Sequence, residues 1–174
     1  ARPFRWRVAD NASFRIPRRH TCELLTMDEA TLRQHLASVE PDLANVVLAA
    51  PPGTYAMCRK ILLGNDEPRM RANACYLGTM IEVNSTLIQI GLKDQEPLVR
   101  IAATRCLSII ENSALDVSLV EDALNDADAG VRKFALRYVG GNYRPSFRAT
   151  LVRMAAHDPE EHLASVARQI LQSR

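Results

Sequence analysis

Three arginines recur along the chain at nearly constant spacing and could act together. Arg71, Arg100 and Arg132 lie 29 and 32 residues apart. A row of guanidinium groups could bind an anion, because each group presents N–H donors in a planar fork. The row could equally be structural, since a half-buried charge needs a partner. Aspartates recur with a matching period, at Asp66, Asp94 and Asp126. This coincidence favours a ladder of ion pairs over an anion-binding row.

The remaining polar residues form no recognisable catalytic or metal-binding motif. The four histidines are scattered, at His20, His35, His157 and His162, and the chain contains no HExxH, GxSxG or glycine-rich phosphate loop. No two cysteines form a CxxC pair; they are Cys22, Cys58, Cys75 and Cys106. We expect them to be small buried residues in a reducing compartment rather than zinc ligands. The sequence therefore implies no cofactor and indicates no enzyme.

The arginines belong to a longer repeat. A fourth copy follows 32 residues after Arg132, with Ala164 at the arginine position. Every copy has an alanine three positions later, and these are Ala74, Ala103, Ala135 and Ala167. Apolar residues stand one position before and six positions after the arginine, so the pattern i, i+4, i+7 marks one face of an α-helix. A small residue on that face predicts close packing against a neighbouring helix.

Each copy also begins like a helix. Aspartates, which are good N-cap residues, precede the copies at Asp66, Asp94, Asp126 and Asp158. Prolines suited to a first helical turn follow at Pro68, Pro97 and Pro159. Shorter amphipathic stretches precede the copies at residues 54–63, 85–92, 115–124 and 146–155. Each copy thus predicts a first helix (helix A), a tight turn and a second helix (helix B), and such pairs bury their apolar faces by stacking.

The pattern D-x-(x)-P-x-V-R-x-x-A at about 30 residues resembles HEAT repeats, in particular a short bacterial variety also found in phycobilisome lyase subunits. The resemblance covers residues 54–172. It implies an all-α, right-handed α-solenoid of about five helical hairpins, with helix B on the concave side, and a protein-binding scaffold or adaptor as the function. A lyase-type enzyme subunit is an alternative that rests on fold analogy alone. The repeated His-Glu pairs of HEAT-like hydroxylases are missing here.

Upstream of the clear copies, the sequence predicts one degenerate repeat. Residues 26–29, Thr-Met-Asp-Glu, form a capping box that opens a helix ending near Val39. Pro41 then starts a second helix, which ends before residues 51–53, Pro-Pro-Gly. We therefore divide the chain into a basic arm or cap, residues 1–25, and a HEAT-like domain, residues 26–174.

The first 20 residues differ in charge and pattern from the rest. They hold six arginines and one acid, whereas the other 154 residues hold 16 basic and 19 acidic residues, a net charge of −3. Apolar and charged side chains alternate from Phe4 to Val8, which predicts a hairpin cap or an extended arm. Its aromatic residues could pack on the first helices, while the expected partner contacts are Arg5, Trp6, Arg7, Arg18 and Arg19.

Exposed positions on helix B are the better binding candidates in this architecture. The residues that we expect to contact a partner are Tyr76, Arg105, Lys133, Arg137, Arg69 and Arg168. Such a basic groove suits an acidic protein surface or peptide. A nucleic-acid backbone is the alternative, which the negative charge of residues 21–174 disfavours. An ordinary solvated helix face would also carry these charges.

The composition predicts a cytoplasmic protein with no membrane partner. The sequence is 47% hydrophobic and 24% charged, as in ordinary globular domains. No apolar run approaches the ~18 residues of a membrane-spanning helix. The N-terminal residues lack the apolar segment of a signal peptide.

Overall fold

The computed structural model describes residues 27–38, 41, 43–48, 50–110 and 115–173, and every regular element in these ranges is helical. The helices are α1 (Glu29–Ala37), α2 (Leu43–Leu48), α3 (Thr54–Leu63), α4 (Pro68–Ile81), α5 (Thr86–Gly91), α6 (Pro97–Cys106), α7 (Val117–Leu124), α8 (Ala129–Gly141), α9 (Arg148–His157) and α10 (Glu161–Gln172). A short 3-10 turn, Pro145–Phe147, precedes α9. The all-α prediction is confirmed. The predicted arm or cap lies outside the described residues.

The helices pack as stacked pairs. Helices α3, α5, α7 and α9 are the predicted A helices, and α4, α6, α8 and α10 are the predicted B helices. Each B helix packs on the next one along the chain: α4 on α6, α6 on α8, and α8 on α10. This stacking is the arrangement of a helical solenoid, and its right-handed sense stays a prediction. None of the helices in the described ranges is long and apolar enough to cross a membrane.

Small residues set the spacing between neighbouring helices. All four repeat alanines are 0% exposed: Ala74, Ala103, Ala135 and Ala167. Opposite Ala103 lies Gly91 of α5, where an added Cβ would stand 2.8 Å from the Ala103 Cβ and 3.0 Å from the Cys75 Sγ. Those distances are too short for a side chain at position 91 unless its neighbours shift, so glycine there lets α5 pack closely on α6.

The cysteines within the described ranges are buried, as the sequence predicts. Cys58, Cys75 and Cys106 are all 0% exposed. Burial raises the pKa of the Cys58 thiol to about 12, because a thiolate loses its hydration in apolar surroundings. These thiols therefore pack as small apolar groups. Cys22 lies outside the described residues.

The predicted N-caps of the B helices are wrong. The N-cap residues are Glu67, Glu96, Asp128 and Glu160, one or two positions after the predicted aspartates. Asp94, Asp126 and Asp158 instead accept a hydrogen bond from the backbone N–H two residues later, as Asp94 does from Glu96 at 2.9 Å. Pro68 and Pro97 open their helices as predicted, whereas Pro159 precedes the cap. The aspartates are needed for other contacts, described below.

The first two helices do not follow the predicted order of a helix A and then a helix B. Helix α1 packs against α4, in the row of B helices rather than in the row of A helices. Its N-cap is Asp28, which accepts a hydrogen bond from the Thr31 N–H at 2.8 Å. Thr26 of the predicted capping box lies outside the described residues. Leu32 and Leu36 are 0% exposed and belong to the same buried cluster as Ala74. Helix α1 therefore extends the stack of B helices, and α2 lies in the connection to α3.

Candidate functional site

The repeat arginines form a ladder of ion pairs along the stack. Each one donates two N–H groups to the aspartate of the following repeat: Arg71 to Asp94 at 2.9 and 2.8 Å, Arg100 to Asp126 at 2.7 and 3.1 Å, and Arg132 to Asp158 at 2.9 and 2.9 Å. Each guanidinium also donates to a carbonyl oxygen in its own turn. The ladder interpretation is confirmed, and most of the N–H donors of these groups are used within the fold.

Two ladder carboxylates, Asp158 and Asp94, are held in their charged form by their arginines. Burial alone would raise the pKa of Asp158, but hydrogen bonds from Arg132 and from the Glu160 N–H outweigh it and keep that pKa below its usual value. The same balance lowers the pKa of Asp94 beside Arg71. These two rungs are thus ion pairs at neutral pH.

Sequence reasoning missed the first rung, which Arg33 of α1 forms with Asp66. Arg33 also binds Glu29 one turn earlier, with a separation of 3.0 Å between Nε and Oε1. A signal was present, because Asp28 precedes Arg33 by five residues, as Asp66 precedes Arg71. Leu36 occupies the position that holds alanine in the other copies and so obscured the repeat.

The B face is defined here by four positions of each B helix, at which every residue but Ala72 is exposed or half-buried. These positions are counted from the ladder arginine, or from Ala164 in α10. They are the second residue before it and the first, second and fifth residues after it. Over α1, α4, α6, α8 and α10 these four positions hold four Lys or Arg residues and no Asp or Glu. The cations are Arg69, Arg105, Lys133 and Arg137, and all four are exposed. Tyr76, half-buried, lies among them.

One cation of the B face is held by a neighbouring helix. The guanidinium carbon of Arg105 lies 5.6 Å from the centre of the Phe134 ring, so α6 and α8 are joined by a cation–π contact. Within the described part of the chain, Arg69, Lys133 and Arg137 form no ion pair or hydrogen bond through their side chains. The face therefore presents cations whose charge is not compensated by the residues described.

The comparison with known families agrees with this repeat geometry. Residues 84–172, which are 89 of the 174, match the family described as HEAT repeats. The chain belongs to the HEAT repeat family. No curated protein matches the sequence. The match covers α5–α10, and the ladder and the buried alanine show that α3 and α4 form a repeat of the same kind.

The HEAT stack brings five of the six predicted contact residues onto one face. Tyr76, Arg105 and Arg137 stand at the same position of three successive repeats, and Lys133 and Arg69 stand beside them. Two exposed apolar residues share this face, Leu98 with 46% and Val166 with 37% of the surface accessible. The B face thus combines cations with apolar contact area, which is the usual make-up of a binding surface.

The sixth predicted contact, Arg168, lies elsewhere. It occupies the position that holds buried Cys75, Thr104 and Leu136 in the earlier repeats. Its guanidinium donates to the Ala155 carbonyl at 2.7 Å and pairs with Glu161. Arg168 therefore ties α10 to α9 and covers the outer side of the last HEAT repeat. The predicted arm contacts, Arg5, Trp6, Arg7, Arg18 and Arg19, lie outside the described residues.

The cavities found in the described ranges are lined by residues outside the B face. A cavity of about 310 Å³ lies beside the last rung, lined by Arg132, Asp158, Arg153 and His157 among others. Arg132 and Asp158 are paired with each other, and Arg153 donates to Asn125. No three His, Cys, Asp or Glu side chains in the described part of the chain could hold a metal ion.

Proposed function

We propose that this HEAT repeat protein is a non-catalytic scaffold that binds an acidic segment of another protein on its B face. HEAT repeats commonly mediate protein interactions. The observation that carries the proposal is the charge of the B face, which holds four cations and no acid although the chain has 22 basic and 20 acidic residues. The described residues of the B face thus carry a net positive charge, and electrostatic complementarity favours an acidic partner.

The proposal is supported by the contrast between the two sets of arginines. Ladder arginines such as Arg100 are paired with carboxylates and act within the fold. Arg105 and Arg137 project from the same helices without an acid beside them in the described residues. Arginine and tyrosine dominate binding energy at interfaces, and Arg105 loses less conformational freedom on binding because Phe134 already holds it.

We base the binding site on Tyr76, Arg69, Arg105, Lys133 and Arg137. Arg168 is left out because Glu161 already engages it. Residues 26–174 form the proposed repeat domain, with the basic arm as a second contact. We further propose that the protein acts in the cytoplasm.

A pull-down from lysate of the source cells, with and without nuclease, tests this function. The Lys133→Glu/Arg137→Glu variant reverses the charge of the B face, and we expect it to lower partner capture by about tenfold or more, because like charges then meet across the interface. Captured protein should be the same with and without nuclease.

The matched control is Arg59→Glu/Arg148→Glu. It makes the same change of charge at exposed positions of α3 and α9, on the A helices, and should leave capture unchanged. Equal loss in both variants would show that only overall charge matters and would refute the B face as the site. Nuclease-sensitive capture, or recovery of nucleic acid, would instead favour a nucleic-acid-binding function.

A further inference from the structure

Three cations of the B face lie in a row across α6 and α8. Arg105 lies over the ring of Phe134, 5.6 Å from its centre. Arg137 follows Phe134 by three residues in α8, and Lys133 precedes Arg137 by four. Residues three and four apart on a helix are neighbours on its surface, so Arg137 lies next to both Phe134 and Lys133.

This cluster is unfavourable as it stands. Lys133 and Arg137 are like charges four residues apart, a pairing that destabilises a helix. Arg105 adds a third positive charge from α6, and none of the three has a carboxylate partner among the described residues. In the same helices, Arg100 and Arg132 each have an aspartate. An anion bound at the cluster would relieve the repulsion.

Resting on the proposed function, we propose that this cluster binds a phosphorylated side chain of the partner protein. A phosphoserine carries about −1.5 to −2 charges and three acceptor oxygens on a single atom, whereas a carboxylate carries one charge and two oxygens. Arg105 and Arg137 lie beside the same ring and Lys133 lies next to Arg137, so the charge of this cluster matches one phosphoryl group better than one carboxylate. The experiment below distinguishes this ligand from an acidic segment that carries no phosphate.

The geometry of Arg105 suits this ligand. The guanidinium carbon lies 5.6 Å from the centre of the Phe134 ring, and none of its N–H groups donates to another of the described residues, so they can donate to a ligand. Arginine binds phosphate through two parallel N–H···O bonds of this kind. Phe134 acts as a positioning residue, because it orients Arg105 without contacting the ligand's charge itself.

The test compares three immobilised peptide pools that differ only at one central residue: phosphoserine, glutamate or serine, with four random residues on each side. Binding of the full chain is measured by biolayer interferometry. We expect the phosphoserine pool to bind on the order of tenfold more tightly than the glutamate and serine pools. The Arg105→Gln/Arg137→Gln variant should lose this preference, and Arg59→Gln/Arg148→Gln should keep it, with circular dichroism confirming that both variants fold.

Two results would overturn the inference. Equal affinity for the phosphoserine and glutamate pools would show that the face does not distinguish phosphate from carboxylate. A phosphoserine preference that survives Arg105→Gln/Arg137→Gln would place the phosphate site elsewhere. Neither result alone refutes the proposed function, which fails if partner capture is insensitive to Lys133→Glu/Arg137→Glu or falls equally in Arg59→Glu/Arg148→Glu.

Discussion

Replacing Arg132 with alanine is expected to lower the free energy of unfolding by about 3–5 kcal/mol, the usual cost of removing one partner of a buried ion pair. The side chains of Arg132 and Asp158 are only 9% and 2% exposed. Without Arg132, Asp158 keeps its hydrogen bond from the Glu160 N–H but loses both guanidinium donors. Two carbonyl oxygens, of Asp126 and Ala127, lose their donor as well.

Urea unfolding followed by circular dichroism at 222 nm measures this loss. The matched control is Arg137→Ala, which removes the same side chain from an exposed position of the same helix and should change stability by less than about 0.5 kcal/mol. A loss below about 1 kcal/mol for Arg132→Ala would show that the ladder is not a structural element.

The second large effect is expected from Ala103→Leu, which should destabilise the protein by about 1–3 kcal/mol through overpacking. Ala103 is 0% exposed and faces Gly91 of α5, where even one added carbon would lie 2.8 Å from the Ala103 Cβ. A leucine must therefore push α5 away from α6. That displacement would also disturb the contact of both helices with Cys75.

The neighbouring residue provides the control for this substitution. Ala102 is half-buried and lies on the B face, so Ala102→Leu should leave the melting temperature nearly unchanged. If Ala102→Leu proves the more damaging of the two, the assignment of the buried and exposed sides of α6 is wrong.

The period of the sequence was sufficient to predict the helix pairs and the ladder. Arg71, Arg100 and Arg132 recur together with aspartates and buried alanines, and all of these positions depend on the same contact between successive repeats. A side chain that repeats with its partner is constrained by stacking, so its role can be inferred without coordinates.

The sequence was less informative where one residue could serve two purposes. Asp94 looks like an N-cap, but pairing with Arg71 and accepting the Glu96 N–H take up its carboxylate, so Glu96 becomes the cap residue. The sequence around α1 suggests the first helix of a pair. Capping residues and prolines show where a helix begins, but they do not show which other helix it packs on. The contact of Arg33 with Asp66 decides that question, and it joins residues distant in the sequence.

The candidate site could be predicted in part from the helical periodicity of the sequence. Helical periodicity places Arg105 and Arg137 on the exposed side of their helices, where they are found. Phe134 was missed, although an aromatic residue two positions after a ladder arginine falls on that exposed side. Its contact with Arg105 depends on the distance between α6 and α8, which no single helix specifies.

The most direct test of the binding face is site-specific photo-crosslinking in lysate of the source cells. The photoreactive residue p-benzoylphenylalanine replaces Tyr76 on the B face in one protein and Arg59 on helix α3 in the other. The account predicts that position 76 forms a covalent adduct with a partner protein and that position 59 forms little or none. An adduct that forms from position 59 and not from position 76 would contradict the claim that the B face binds the partner.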